Sequence, residues 1–496
     1  MARAKQRQHD RPPAGPRGSG GSRGFAPSTE RGFAPSTERG FAPANERGFA
    51  PRVELDDMDF AIESTGHAPQ SSTAGPPSLV CEHFPPCAGC PQIPVPYEAQ
   101  LAAKRVEFAA ALAPLGVEAS LVHATIPSPL IRGYRNQARL VFRKMSRGGH
   151  LHIGLGMYLP GTHRVVHIPN CPIQPERLNA IAASVVRIAE ELNLSVYDER
   201  EATGVLRYLA LRCDRARKHV LMTLIVGNDN GEPLRVLART VHERYPEVVG
   251  AMLHVNARHS NVLFAGVDAW TIGAARLEDE IGRFRVLVSP RSFLQVNHGQ
   301  AEWIYARLEE RLTEGPAVAL APAAAAPAPT APAVATDSAE PAPSVREIVL
   351  DLYCGVGSIA LHLARPGRLV IGVEESEEAV EDARRAAHMN AVAGVKFVVA
   401  RVEDFLREPE RFGVDLGAAP VRAAVLNPPR AGCRPGVMEA LAELSPADVA
   451  YVSCRPFSLV RDLELLAGRY AVTEATPVDM IPLTPHIESL VFLQRK

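Results

Sequence analysis

Eight cysteines are distributed so that five of them invite a chemical reading. Cys81, Cys87 and Cys90 form C-x5-C-x2-C, and Cys171 lies well downstream in NCPIQ. Thiolate-only ligation with Cys-Pro at two of the four positions suits an iron–sulfur cluster. A structural zinc more often uses two paired knuckles, whereas here one pair is joined by two isolated thiols, so zinc is the second reading and unligated core cysteine the third. The fifth, Cys454, sits in YVSCRP between a short apolar run and an Arg-Pro pair. Free cysteine behaves by default as a small buried hydrophobe; delivered to a ligand-binding edge, the same thiol becomes a candidate nucleophile. Cys213, Cys354 and Cys433 read as packing residues.

Other candidate residues lie on the elements that would deliver Cys454. In LDLYCGVGSIAL, Gly355 and Gly357 fall at a strand-to-helix turn, where backbone can approach a ligand and the helix offers free N–H groups. The next strand ends in IGVEE, which puts Glu374 where a carboxylate can accept both hydroxyls of a ribose. Adenosine is implied, with NAD and S-adenosylmethionine both fitting; helix capping or surface charge is the alternative for Asp351 and Glu374. LNPPR (426–430) follows a later strand at the carboxyl edge, and its two prolines stiffen a loop in which Asn427 can offer fixed donors and an acceptor to a planar substrate. The following strand brings YVSCRP to that edge.

These runs set the expected organisation. REIVLDL, RLVIGVE, VKFVVA, RAAVLNPP and DVAYVSC alternate with helical patterns such as EEAVEDARRAAHMNA, which predicts a parallel, doubly wound sheet over residues 345–496. Residues 79–312 mix strand-like runs (ARLVF, HVLMTLIV) with helix-like ones (YEAQLAAKRVEFAAAL). An Ala/Pro-rich insertion or linker over 313–344 separates the two, and residues 1–78, with an RGFAPSTE repeat, read as a disordered basic tail. At 496 residues with 46% apolar content, the chain allows two or three domains with real cores. No apolar run approaches the roughly 20 residues that cross a bilayer, and the basic N-terminus lacks a signal-peptide core, so a cytoplasmic location is expected. A formal net charge of −1 neither demands nor excludes a nucleic-acid partner.

Taken in order, CEHFPPCAGC, GYRNQARLVF, IPNCPIQ, FLQVN, LDLYCGVGSIAL, VLNPPRAG, YVSCRPFSLVRDL and the terminal TPHIESL make the sequence resemble the S-adenosylmethionine-dependent RNA uracil-5-methyltransferases, and most of all their iron–sulfur 23S ribosomal RNA members. The resemblance spans about residues 81 to 496 without the Ala/Pro insertion. It implies an α/β fold, in which a Rossmann-like methyltransferase domain follows an α/β RNA-binding region holding a [4Fe-4S] cluster on Cys81, Cys87, Cys90 and Cys171. The cluster would be structural or RNA-positioning, since the spacing is not that of radical enzymes and four ligands leave no open iron. The resemblance assigns Cys454 as nucleophile towards C6 of uracil and Glu488, in HIES, as the base that removes the C5 proton. To the cofactor it assigns Gln295, Tyr353, Ser358 and Glu374, with Asn427 between cofactor and substrate. Ser358 and Asn427 vary among members, and an amide at 427 cannot act as an anion. RNA, 23S ribosomal RNA above all, is the implied partner; transfer RNA is the alternative substrate, and a non-catalytic iron–sulfur RNA-binding protein the alternative class. No membrane or protein partner is implied, and no oligonucleotide-binding barrel is expected before Cys81. Arg132, Arg135, Arg139, Arg143 and Lys144 are candidate RNA contacts, with Arg135, Arg139 and Arg143 expected on one strand face.

Overall fold

The computed structural model describes residues 79–258, 262–313 and 345–496. The repeat tail and nearly all of the Ala/Pro insertion lie outside the described residues.

Helix α1 (Tyr97–Leu112) precedes the first sheet, whose strands are β1 (Gln137–Arg147), β2 (His150–Tyr158), β3 (Val165–His167), β4 (Leu206–Cys213), β5 (Val220–Val226), β6 (Val248–Val255) and β7 (Val267–Gly273). Their order is β3-β2-β1-β4-β5-β6-β7, antiparallel throughout except for the parallel β5–β6 pair. Helices α2 (Glu176–Glu191) and α3 (Glu232–Arg244) cover one face. The reason is their spacing: Leu178, Ile181, Ala182, Val185, Ile188 and Ala189 recur every three or four residues and are buried against Leu140, Phe142, Leu209 and Leu211.

A short hairpin, β8 (Leu277–Ile281) and β9 (Phe284–Val288), and helix α4 (His298–Thr313) lead to the second sheet. Its strands are β10 (Glu347–Leu352), β11 (Arg368–Glu374), β12 (Val395–Val399), β13 (Val421–Leu426), β14 (Asp448–Ser453), β15 (Tyr470–Val478) and β16 (Glu488–Arg495), in the order β12-β11-β10-β13-β14-β16-β15. Helices α5 (Ser358–Leu363) and α6 (Glu377–Met389), with α4 and the hairpin, share one core with this sheet. On the other face lie α7 (Val402–Arg407), α8 (Val437–Leu444), α9 (Pro456–Glu464) and α1. Phe108 and Leu112 of α1 are fully buried there, each contributing about 1.5–3 kcal/mol of apolar burial that ties the N-terminal helix to the second sheet.

The five strands read from the sequence, β10 to β14, pair in parallel as expected, and β15 and β16 make the sheet as a whole mixed. Strand β16 runs antiparallel to both β14 and β15. Only residues 479–487 join β15 to β16, and a parallel return needs a crossover of a dozen or more. Two of the arginines expected to contact RNA also bond within the chain. Arg135 precedes the strand and its Nε donates to Gln137 O, while Arg143 Nη1 donates to Val165 O, so these side chains serve the protein's own backbone. Arg139 turns into a cavity beside the four-cysteine set.

Candidate active site

The sheet order reverses around β10, and the crevice at the carboxyl ends of β10, β11 and β13 is where such sheets hold ligands. Tyr353, Gly355 and Gly357 leave β10 in a turn where all three have positive φ, 65°, 53° and 78°. Gly357 has a second constraint: a Cβ there would lie 2.7 Å from the Phe397 ring. Ser358, buried, starts α5. Asp351 is fully buried and accepts the Ala360 N–H at 2.9 Å, so it caps α5 from the sheet; burial, with Glu374 nearby, pushes its carboxyl up to about 7. Glu374 accepts the Gly355 N–H at 3.1 Å and the Ser376 N–H at 3.0 Å, one on each oxygen, which fixes the carboxyl across the turn. Burial raises its pKa against the lowering effect of those amides. Asn427 follows β13, and its N–H donates to Leu352 O at 3.2 Å, placing it beside the end of β10.

A pocket of about 570 Å³, open to solvent, joins Gln295, Cys454 and Glu488, together with Phe293, Arg430 and His486. Strand register explains the central pair. Tyr451↔Val491, Val452↔Leu490 and Ser453↔Ser489 face each other across the antiparallel β14–β16 ladder, and one more step sets Cys454 opposite Glu488. Side chains of directly opposed residues leave the sheet on the same face from Cβ atoms about 5 Å apart. Ser489 Oγ donates to Ser453 O at 3.2 Å beside this pair.

The electrostatics are those of desolvated side chains with a cation at the pocket wall. Burial pushes Glu488 up to about 8, opposed by the Arg430 guanidinium. Cys454 is pushed up to about 12 by burial and by Glu488, with Arg430 and Arg455 acting the other way. His486 is held down to about 4 by burial and by Arg430, Lys104 and Arg135, so its imidazole is neutral at pH 7. Ser458 Oγ donates to Arg430 O at 3.0 Å, fixing the loop that carries the guanidinium. Neither Arg430 nor Phe293 received a role from the sequence, although both stand in stretches already singled out, LNPPR and FLQVN.

Gln295 and Glu488 are each held by long-range contacts. Asn136 N–H donates to Val296 O at 3.0 Å and Asn136 Nδ2 donates to Gln295 O at 2.9 Å. Asp479, fully buried at the root of the β15–β16 connection, accepts from Lys104 Nζ at 2.5 Å and from Tyr97 Oη at 2.6 Å. Halfway along, Leu483 has φ 69°, is fully buried, and accepts the Gln92 N–H at 3.0 Å.

The four remaining thiols, Cys81, Cys87, Cys90 and Cys171, are all free and line one separate cavity, which shares Ile481 and His486 with the first. Leu79, Ile93, Tyr134, Ile173 and Leu483 form its apolar shell. Burial pushes the Cys90 thiol up to about 12, with Cys171, Cys87 and Cys81 adding to it, so the other three stand within electrostatic reach of Cys90. Arg135 and Arg139 also line this cavity. Among the described residues no three His, Cys, Asp or Glu side chains are grouped as the ligands of a metal ion would be; the thiols surround a space instead. Gly133 N–H donates to Pro172 O at 2.9 Å and Arg135 N–H to Ile173 O at 3.0 Å, so GYRN links the Cys171 loop to the Gln295 segment.

No described helix is long and apolar enough to cross a membrane. The model of the tRNA (uracil-5-)-methyltransferase family matches residues 338–496. An uncharacterized RNA methyltransferase of Geobacter sulfurreducens is 33% identical over 426 residues, covering 84% of this chain and 77% of the relative. One from Nitratidesulfovibrio vulgaris is 32% identical, covering 84% and 82%. The crystal structure of Pyrococcus abyssi tRNA (uracil-54, C5)-methyltransferase in complex with S-adenosyl-L-homocysteine superposes with a TM-score of 0.62 at 26% identity, covering 82% of this chain and 86% of that one. With a glycine-bearing turn at the sheet's switch point and a half-buried thiol sharing a pocket with a buried carboxyl, the chain belongs to the S-adenosylmethionine-dependent RNA uracil-5-methyltransferase family.

Proposed function

We propose that this enzyme methylates C5 of a uridine in 23S ribosomal RNA, in the cytoplasm, through a covalent bond between Cys454 and C6 of the base. The observation that carries the mechanism is the β14–β16 register, which sets Cys454 and Glu488 opposite each other in one pocket walled by Arg430.

C5 of uracil is too weak a nucleophile to take a methyl group unaided. The thiolate of Cys454 adds to C6, the C5=C6 π electrons move into an enolate, and C5 gains carbanion character. S-adenosylmethionine supplies the electrophilic methyl group. Glu488 then takes the C5 proton; C5=C6 re-forms as the C6–S bond breaks, and the thiolate leaves. Arg430 and Arg455 favour the thiolate over a thiol that burial otherwise keeps protonated. A carboxyl raised to about 8 is a stronger base than an ordinary one once ionised. The uridine must leave its stack to reach this pair in its pocket.

Towards the cofactor, Glu374 would accept the ribose hydroxyls, Gly355 and Gly357 would let backbone approach closely, and Tyr353, Ser358, Gln295 and Asn427 would line the remaining contacts. Both oxygens of Glu374 keep lone pairs beyond the amide bonds they accept. Cys81, Cys87, Cys90 and Cys171 suit a [4Fe-4S] cluster: the donors are all sulfur, surround a cavity in an apolar shell, and have Arg135 and Arg139 to offset negative charge. Such a group supplies cross-linking with no open iron for chemistry. The shell residue Leu483 and the GYRN segment would then carry its rigidity to Glu488 and to Gln295.

Transfer RNA is the second reading, favoured by the likeness to the Pyrococcus abyssi enzyme; the four thiols favour ribosomal RNA. The test is methyl incorporation from labelled S-adenosylmethionine into matched 23S and transfer-RNA fragments by anaerobically purified protein. Labelling of the 23S fragment at uracil C5 supports the proposal, labelling of transfer RNA alone moves the substrate, and labelling of neither overturns it.

A further inference from the structure

Two aromatic rings rank among the exposed large hydrophobic side chains of the described residues, Phe457 at 73% and Phe293 at 39%. Phe293 lines the Cys454 pocket. Phe457 is three residues past Cys454, so their Cα atoms stand at most about 11 Å apart even for extended chain. Pro456 opens α9, whose buried side consists of Ser458, Leu459, Asp462 and Leu463, which leaves Phe457 on the outward side without a packing role. The Arg455 guanidinium lies over the Phe457 ring, 5.6 Å from its centroid, and its charge also reaches the Cys454 thiol. The ring and its cation therefore lie on the chain that leaves the pocket, within about 11 Å of the Cys454 backbone. Further along the same helix, Arg461 Nη2 donates to Ala431 O at 2.9 Å, which braces α9 against the loop that carries Arg430.

A single exposed apolar side chain is ordinary on a protein surface, but a phenyl ring beside the nucleophile fits a nucleic-acid strand opened at one base. When the target uridine swings into the pocket, its neighbours lose a stacking partner. An aromatic ring backed by a guanidinium supplies a replacement surface for one of them, and a single strand is held in this way at about 1–3 kcal/mol per stacked base. Resting on the reading that the Cys454 pocket takes a flipped uridine, we propose that Phe457, backed by Arg455, is the platform on which the nucleobase adjoining the target uridine stacks, and hence a determinant of the sequence context that is methylated. A purine, with the larger π face, is held better than a pyrimidine.

The experiment compares the full chain with Phe457→Ala and Phe457→Trp, using RNA fragments in which each nucleotide flanking the target uridine is in turn a purine, a pyrimidine or an abasic unit. Methylation kinetics are read alongside the fluorescence of 2-aminopurine placed at the same flanking positions. S-adenosylmethionine affinity, measured separately, reports folding of each variant. For the wild type, an abasic unit on the stacked side lowers kcat/KM by about 5- to 150-fold, the equivalent of the stacking range above. Phe457→Ala shows a loss of similar size on intact RNA, carried by KM, ignores the abasic unit, and abolishes the 2-aminopurine response; Phe457→Trp restores both. An alanine variant that binds cofactor normally yet discriminates flanking bases as the wild type does overturns the platform. A 2-aminopurine response that depends on Phe457, with no C5 methylation of any fragment, upholds the platform and overturns the uridine chemistry.

Discussion

Replacing Glu488 by glutamine should stabilise the protein, by an amount that grows with pH. The carboxyl is buried, with its pKa raised from 4.5 to about 8, so the folded state holds its proton more tightly than the unfolded chain does. Glu488 therefore imposes no penalty below about pH 4.5. Between there and about pH 8 it withdraws stability at about 1.4 kcal/mol per pH unit, reaching about 5 kcal/mol once the native carboxyl ionises. At pH 7 the penalty is about 3 kcal/mol by the same slope. Glutamine has nothing to ionise, and any fixed cost of its amide is independent of pH. Cys454 adds nothing to the comparison over this range, because its thiol stays protonated to about 12. Urea unfolding of Glu488→Gln and wild type, both anaerobic and free of substrate, should diverge by about 3 kcal/mol between pH 5.5 and pH 8.5. Parallel stability curves over that interval would refute a buried, proton-holding carboxyl at Glu488 and the base assignment built on it.

Further consequences follow from the same geometry. The kcat/KM for methylation should rise with pH, bending to a shallower slope near 8 as Glu488 completes its ionisation while the Cys454 thiol goes on ionising, and Arg430→Gln should displace that bend to higher pH because the guanidinium lowers the carboxyl's pKa; an unmoved bend in a folded variant would remove Arg430 from the site's electrostatics. Asn136→Ala removes the donor to Gln295 O and should raise KM for S-adenosylmethionine about five- to thirty-fold, the equivalent of about 1–2 kcal/mol, with little change in kcat; steady-state kinetics at saturating RNA decide it. Cys171→Ser should lose bound iron and sulfide, read by metal analysis and visible absorption, and should increase hydrogen exchange of residues 481–488, since that connection walls the thiol cavity. An unchanged exchange pattern after cluster loss would separate the two cavities.

The elements that repeat a local pattern were readable in advance. β10, β11, β13 and β14 are short apolar runs with turn residues between them, and α1 and α6 follow helical spacing closely. Cys454 and Glu488 were identified through stretches resembling a family, yet their opposition depends on β16 running antiparallel beside β14, a pairing of residues 36 or more apart in the chain that no local pattern encodes. Arg430 was missed for a related reason. A lone arginine after two prolines reads as surface until Ser458, from α9, fixes its backbone at the pocket wall. The arginines around GYRNQARLVFRK show what a local pattern leaves out, because periodicity reports which residues share a face and not what that face meets. Asn136 lay unnoticed within the same stretch, its partners Gln295 and Val296 some 160 residues away.

The central claim is that Cys454 activates C5 by bonding to C6, and tritium release from RNA labelled at uracil C5 tests it most directly. The account predicts S-adenosylmethionine-dependent release by the wild type and none by Cys454→Ala with its cofactor affinity intact. Release by that variant at the wild-type rate, or methyl incorporation by the wild type with the C5 tritium retained, would contradict it.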